Sequence, residues 1–106
     1  MELLTQTLKN LIPEIGSTED TTIPEKKIYA KFFCPWNNWK WFVTEYDPKT
    51  NDCFGFVMGF ENEWGYFNVD ELKQVKGMFG MKIERDLHFE PRTFGSVSVE
   101  DMAKGL

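Results

Sequence analysis

From residue 28 to residue 67 large apolar side chains recur at every second position, and clusters of Asn, Asp, Gly and Pro break the pattern. A period of two with turn residues between the runs predicts short antiparallel strands. The first covers residues 27–34, with Ile28, Ala30, Phe32 and Cys34 on one face and Tyr29, Lys31 and Phe33 on the other; the first set is the better core face. Pro35, Asn37 and Asn38 make a turn. A second strand over 39–47 sets Trp39, Trp41, Val43 and Glu45 against Lys40, Phe42, Thr44 and Tyr46, so both faces carry large rings. Turn residues fill 47–52, and a third strand over 53–61 sets Phe54, Phe56, Met58 and Phe60 against Cys53, Gly55, Val57 and Gly59. The glycines leave space that a ring from the preceding strand is expected to fill; a bulge, a close backbone approach or a ligand cleft are the alternatives. Glu63, Trp64 and Gly65 read as a turn into a short strand, Tyr66 and Phe67.

Helical spacing appears on either side of this region. Thr5 can cap a helix running to Ile12, with Leu4, Leu8, Leu11 and Ile12 as its apolar stripe and Pro13 ending it. Residues 14–25 are polar, and read as a surface loop, the least ordered internal segment. Asn68 followed by Glu71 resembles a capping box, so a helix over 69–76 should end at Gly77. Met78 and Phe79 fall in a loop between Gly77 and Gly80, a last strand is expected over 87–90, and Ser98 can cap a turn over 99–104 in a peripheral tail, 92–106. The expected architecture is α+β: a small antiparallel sheet of four to five strands with an N-terminal helix and one further helix packed on one face. At 106 residues the chain is expected to form a single domain, 1–106.

One helix-covered face needs only part of this ring supply, and exposed rings are binding surface. Trp36, Trp39, Trp41 and Trp64 are the binding candidates, of which at least two should be substantially exposed. A formal charge of −5 with no basic run longer than Lys26-Lys27 argues against duplex nucleic acid and favours basic or neutral protein partners. An acidic surface can also imitate nucleic acid. Stacking of single-stranded bases requires a positive groove, and only Lys27, Lys31 and Lys40 lie near the rings.

Cys34 and Cys53 are the two cysteines, with no CxxC pair and no Cys/His cluster, and nothing at the N-terminus resembles a secretion signal. They are expected to be reduced thiols in the core of a cytoplasmic protein. No apolar run approaches the ~20 residues of a membrane span. The expected state is a monomer or weak dimer without membrane association.

His88 is the single histidine, and no set of ligands for a metal or pattern of glycines for a phosphate accompanies it, so neither cofactor nor metal is expected. In a strand, Asp86 and His88 share a face, and the carboxylate would orient the imidazole. A salt-bridged polar cluster is the plainer reading of that pair. Glu45 and Asp47 also share a face, and paired carboxylates suit acid–base work, although a solvated strand end explains them as well. Asp86, His88, Glu45 and Asp47 are the candidate residues for a small hydrolase or other enzyme. Convergence of these groups in a cleft would favour the enzyme, and scattered carboxylates beside an aromatic patch would favour binding.

The runs Trp41-Phe42-Val43-Thr44-Glu45-Tyr46-Asp47-Pro48, Gly59-Phe60-Glu61, Gly65-Tyr66-Phe67, Asp70-Glu71-Leu72 and Ile83-Glu84-Arg85-Asp86-Leu87-His88-Phe89, with the opening Leu3-Leu4-Thr5, resemble a family of short bacterial proteins known only as a domain of unknown function. The resemblance covers about residues 1–91. Members are carried on plasmids, integrative elements and phages, which implies a mobile-element accessory role, with counter-defence as one outlet. It implies no catalytic residue, cofactor or substrate. The leading expectation is therefore a non-enzymatic protein-interaction module, and the enzyme is the alternative.

Overall fold

A computed structural model describes residues 1–97. The described residues form strands β1 (Lys27–Ile28), β2 (Ala30–Phe33), β3 (Lys40–Asp47), β4 (Asp52–Met58), β5 (Asn62–Asn68), β6 (Glu84–Arg85) and β7 (Arg92–Thr93), with helices α1 (Gln6–Leu11) and α2 (Val69–Gln74). The main sheet is antiparallel with order β5-β4-β3-β2-β6, and β1 pairs with β7 in a separate two-stranded piece. The architecture is α+β. The terminal turn expected over 99–104 lies outside the described residues.

Both helices start as the sequence predicts. The Thr5 side chain accepts the Leu8 amide, and the Asn68 side chain accepts the Glu71 amide, each satisfying a donor that the first helical turn leaves open. Both helices cover one face of the main sheet. Leu3, Leu4, Ile12, Val69 and Leu72 pack there against Ala30, Phe32, Cys34, Trp41, Val43, Tyr46 and Cys53. Leu11, expected in the stripe, is exposed, and Leu3, ahead of the helix, is buried. The helix ends at Leu11, and the chain turns so that the Pro13 carbonyl accepts the Tyr46 amide at 2.9 Å.

The opposite face has a smaller core of Ile28, Phe42 and Val97, flanked by Phe56, Met58, Trp64, Phe89 and Phe94. A turn, the short strand β7 and one 3-10 turn over Phe94–Ser96, rather than an α-helix, seal it. The Asp86 amide donates to the Lys31 carbonyl at 2.8 Å and the Phe94 amide to the Lys26 carbonyl at 2.7 Å, which lays residues 86–97 across the rings. Phe94 and Val97, expected in a peripheral tail, are part of this packing.

A β-bulge in β3 explains where simple alternation fails. Val43 pairs with Gly55 but Glu45 pairs with Phe54, so Thr44 is an extra residue in the strand. The side-chain phase reverses there: Tyr46 joins Trp41 and Val43 on the helix face, and Glu45 joins Phe42 on the other. The expected split of Glu45 with Trp41 and of Tyr46 with Phe42 is thus corrected by one inserted residue. Gly55 makes the bulge possible, because a Cβ on it would sit 1.8 Å from the Phe42 carbonyl oxygen. A second irregularity divides the expected 27–34 strand at Tyr29, whose amide donates to the Val43 carbonyl at 2.9 Å. Ile28 consequently packs in the second core and not with Ala30 and Phe32.

Two further expectations change. Glu63, Trp64 and Gly65 are not a turn but the interior of β5, which pairs with β4 along its whole length, Gly65 opposite Gly55. The last strand of the main sheet is Glu84–Arg85 rather than 87–90, and the chain turns at Asp86.

Candidate functional site

At one end of the sheet three hairpins bring aromatic rings together. The β2–β3 connection carries Trp36 and leads into Trp39 and Trp41; the β4–β5 connection carries Phe60; a third hairpin over residues 76–82 carries Met78 and Phe79 at its tip, held by the Gly77 amide donating to the Met81 carbonyl at 2.7 Å. Glycine seats both outer tryptophans. A Cβ on Gly77 would fall 2.1 Å from the Trp36 ring, and one on Gly59 would fall 2.5 Å from the Trp39 ring. The expected space filled by a ring from the preceding strand is present at Gly59, whereas at Gly55 the ring is replaced by the close approach of the bulged Phe42–Thr44 backbone.

Trp39 is the hinge of the cluster. Its ring centroid is 5.8 Å from that of Trp41 and 5.1 Å from that of Phe60, the latter pair nearly perpendicular at 85°. This edge-to-face geometry is a favoured aromatic arrangement. A cleft of about 290 Å³ opens among Cys34, Trp36, Trp39, Trp41, Lys76 and Ile83. A second of about 280 Å³, lined by Trp39, Val57, Gly59, Phe60, Glu61 and Glu63, shares the Trp39 ring. The two clefts share Trp39 and together are the groove, with Lys76 lining the first and Glu61 and Glu63 the second.

Trp41 is 6 % exposed, and Trp36 and Trp39 are half-buried, so the tryptophans supply the floor. Phe60 and Phe79, at 95 % and 90 % exposed, are the rings that stand in solvent. Neither was singled out from the sequence, although Phe79 between two glycines and Phe60 beside Glu61-Asn62 are the positions where turns would carry a ring outward. Phe79 also has φ 58° and ψ 24°, the left-handed region, which a bulky side chain rarely adopts. A strained, exposed Phe contributes nothing to the core, and strain of this kind concentrates at functional sites.

Trp64, the fourth tryptophan candidate, lies on the other sheet face. It is half-buried among Phe54, Phe56 and Phe94, with centroids 6.0, 5.6 and 5.0 Å away. The expectation that at least two of the four stand substantially exposed is corrected: all but Trp41 keep partial access, because neighbouring rings and glycine-seated contacts cover the rest.

The four candidate enzyme residues do not converge. Glu45 is buried and accepts the Gly16 amide at 2.7 Å, the Thr18 amide at 3.1 Å and the Thr18 hydroxyl. Lys26 Nζ in turn donates to the Thr18 carbonyl at 2.5 Å. Segment 14–25, expected to be the least ordered, is fastened to the sheet by this carboxylate. Asp47 instead accepts the Lys49 amide at 2.8 Å in its own turn. Asp86 accepts the His88 backbone amide at 2.9 Å and lies 3.7 Å from Lys31 Nζ, while the His88 side chain is exposed. The expected strand-face pair of Asp86 and His88 is replaced by an Asx-type turn, since residues 86–88 are not in a strand.

Burial shifts both cysteines and one lysine. Burial pushes the Cys53 thiol up to about 12, with the Asp52 carboxylate adding to the effect, and burial also raises Cys34. Burial lowers the Lys40 ammonium from its usual range. Both cysteines are free and buried. Among the described residues no group of three or more His, Cys, Asp or Glu is arranged to hold a metal ion, and no helix is long and apolar enough to cross a membrane.

Fold and groove together define a small α+β protein with an aromatic recess at one sheet end. The model of the family described as "Protein of unknown function (DUF2958)" matches residues 3–104, and the chain belongs to that family. The match extends past residue 91, where the recognisable sequence pattern stops. Neither curated proteins nor solved structures give a match.

Proposed function

We propose that the protein is a non-enzymatic interaction module that takes a segment of a protein partner into the groove floored by Trp36, Trp39 and Trp41. The observation that carries this reading is the almost fully exposed Phe60, which lines the cleft beside Trp39, with the equally exposed Phe79 at the tip of the hairpin whose Gly77 seats Trp36. Exposed rings around a recess of half-buried tryptophans have the character of an interface centre, where aromatic anchors supply most of the binding energy. Glu61 and Glu63 line the second cleft, and the chain carries a net −5, so the fitting partner segment has an apolar side chain flanked by Lys or Arg. The separation of Asp86, His88, Glu45 and Asp47, each engaged in holding a turn or loop or exposed alone, favours binding over catalysis.

The resemblance to proteins of bacterial plasmids, integrative elements and phages extends the proposal: a cytoplasmic accessory protein of a mobile element that engages a host or element-encoded protein, with counter-defence as one outcome. The test is quantitative capture from the native host with wild type and with the Phe60→Ser/Phe79→Ser double variant, followed by mass spectrometry. A partner depleted at least about tenfold by the double variant, at unchanged melting temperature, supports the groove. A partner retained equally by both proteins places recognition elsewhere.

A further inference from the structure

The two edges of the main sheet differ in kind. On one side β6 has two residues; on the other β5 has seven, with no Lys, no Pro and no bulge to discourage a further strand. The direction of its backbone groups follows from the ladder. The Val69 amide donates to the Asn51 carbonyl at 2.9 Å and the Gly59 amide to the Glu61 carbonyl at 3.1 Å, one pair at either end of the β4–β5 register. Alternation between them makes 53/67, 55/65 and 57/63 the hydrogen-bonded pairs. The N–H and C=O groups of Asn62, Trp64 and Tyr66 therefore point away from β4, and among the described residues no strand lies on that side.

We propose that two copies of the chain pair β5 to β5 across this edge, antiparallel, with the two-fold axis at Gly65. The occupant is a second copy because the strand complements itself. Read from residue 62 it is Asn-Glu-Trp-Gly-Tyr-Phe-Asn, and pairing centred on Gly65 sets Asn62 opposite Asn68, Glu63 opposite Phe67 and Trp64 opposite Tyr66. No carboxylate faces another, and two aromatic pairs meet on one sheet face, the cross-strand combination that stabilises antiparallel sheets. Trp64 of one copy and Tyr66 of the other exchange both backbone hydrogen bonds, twice by symmetry. Gly65 then faces Gly65 in a non-hydrogen-bonded pair, where side chains come closest, and the space a Cβ of Gly65 would enter is open. Any other register shortens the ladder. The contact is isologous, so it closes at two copies and gives a ten-stranded sheet.

Sedimentation over about 1 µM to about 1 mM measures the association, and an equal mixture of isotope-labelled and unlabelled protein reports its register by isotope-filtered NOE. The expected results are a concentration-dependent dimer and an intermolecular Hα–Hα NOE between the two Gly65 residues. Tyr66→Pro removes an outward donor that β4 does not use, and Tyr66→Lys places a charge on the edge. Each should weaken the dimer at least about tenfold, and Tyr66→Lys decides the matter if the proline variant does not fold. A protein that stays monomeric throughout, a dimer indifferent to Tyr66→Lys, or intermolecular NOEs that omit Gly65 would overturn the proposal.

Discussion

Gly55 and Gly65 face each other across β4 and β5, yet alanine should have opposite consequences at the two positions. At Gly55 the new methyl would lie 1.8 Å from the Phe42 carbonyl oxygen, 2.9 Å from its carbon and 3.3 Å from the Thr44 nitrogen. All three are backbone atoms of the bulged strand, so no side chain can rotate away. Overpacking against side chains costs about 1–3 kcal/mol, and a clash that must move a central strand belongs at or above the top of that range. At about 3 kcal/mol, and ~4–8 °C per kcal/mol for a domain of 60–100 residues, Gly55→Ala should melt about 12–24 °C below wild type. Gly65→Ala meets nothing within 4 Å and should lie within about 1 kcal/mol of wild type, with stabilisation expected from the stiffer unfolded chain. Thermal and urea unfolding followed by circular dichroism compare the two. If Gly55→Ala unfolds within about 0.5 kcal/mol of wild type, or if both variants lose the same amount, β3 and β4 are not in the contact described and the account of the bulge is wrong.

Glu45→Ala removes the acceptor of three hydrogen bonds and should cost about 2 kcal/mol or more, with new proteolytic cleavage within residues 14–25; an unchanged digestion pattern would refute the fastening role. His88→Ala should be nearly neutral, within about 0.5 kcal/mol, because its side chain is exposed, whereas Asp86→Ala, which removes both the acceptor of the His88 amide and a carboxylate 3.7 Å from the Lys31 ammonium, should cost at least about 1 kcal/mol; a larger loss from His88→Ala, measured by urea midpoint, would reverse this assignment. Because the folded Cys53 thiol titrates near 12 against about 9 unfolded, its stabilisation is full below pH 9 and declines as pH rises toward 12, so Cys53→Ala should show a flatter alkaline limb in stability against pH. Neither thiol should react with a disulfide reagent at pH 8 until denaturant is added, and prompt labelling of the native protein would contradict their burial.

Alternation, turn residues and caps were enough to expect the α+β architecture, the starts of both helices, the β2–β3 and β3–β4 hairpins and the ring over Gly59. The misplaced parts have local physical causes. Thr44 shifts the phase of β3 by one, and nothing in Val43-Thr44-Glu45 distinguishes a bulge from regular strand; only the glycine across the sheet hints at it. Gly65 read as a turn because glycine is rare inside strands, yet here it faces another glycine on a strand edge. The groove was half legible. Trp36, Trp39 and Trp41 were named, but their exposure depends on long-range neighbours, and the outermost rings, Phe60 and Phe79, sit on turns where periodicity gives no direction. The roles of Glu45 and Asp86 were equally hidden, since the amides of Gly16 and Thr18 and the ammonium of Lys31 lie far along the chain.

The second core, closed by Phe89, Phe94 and Val97, also fixes an order of events during translation. Ile28, Phe42, Phe56 and Trp64 are synthesised first, and β1 waits for β7, which is made 66 residues later as judged from the Lys27–Thr93 pairing. At about 5–20 residues per second the growing chain carries uncovered rings for several seconds before their cover leaves the ribosome. The helix-covered face can assemble while the other stays open, so a released chain truncated near residue 85 should present a sticky half-sandwich. Chaperone dependence should accordingly rise when the distal codons are read slowly, and fall when residues 86–97 are supplied without delay.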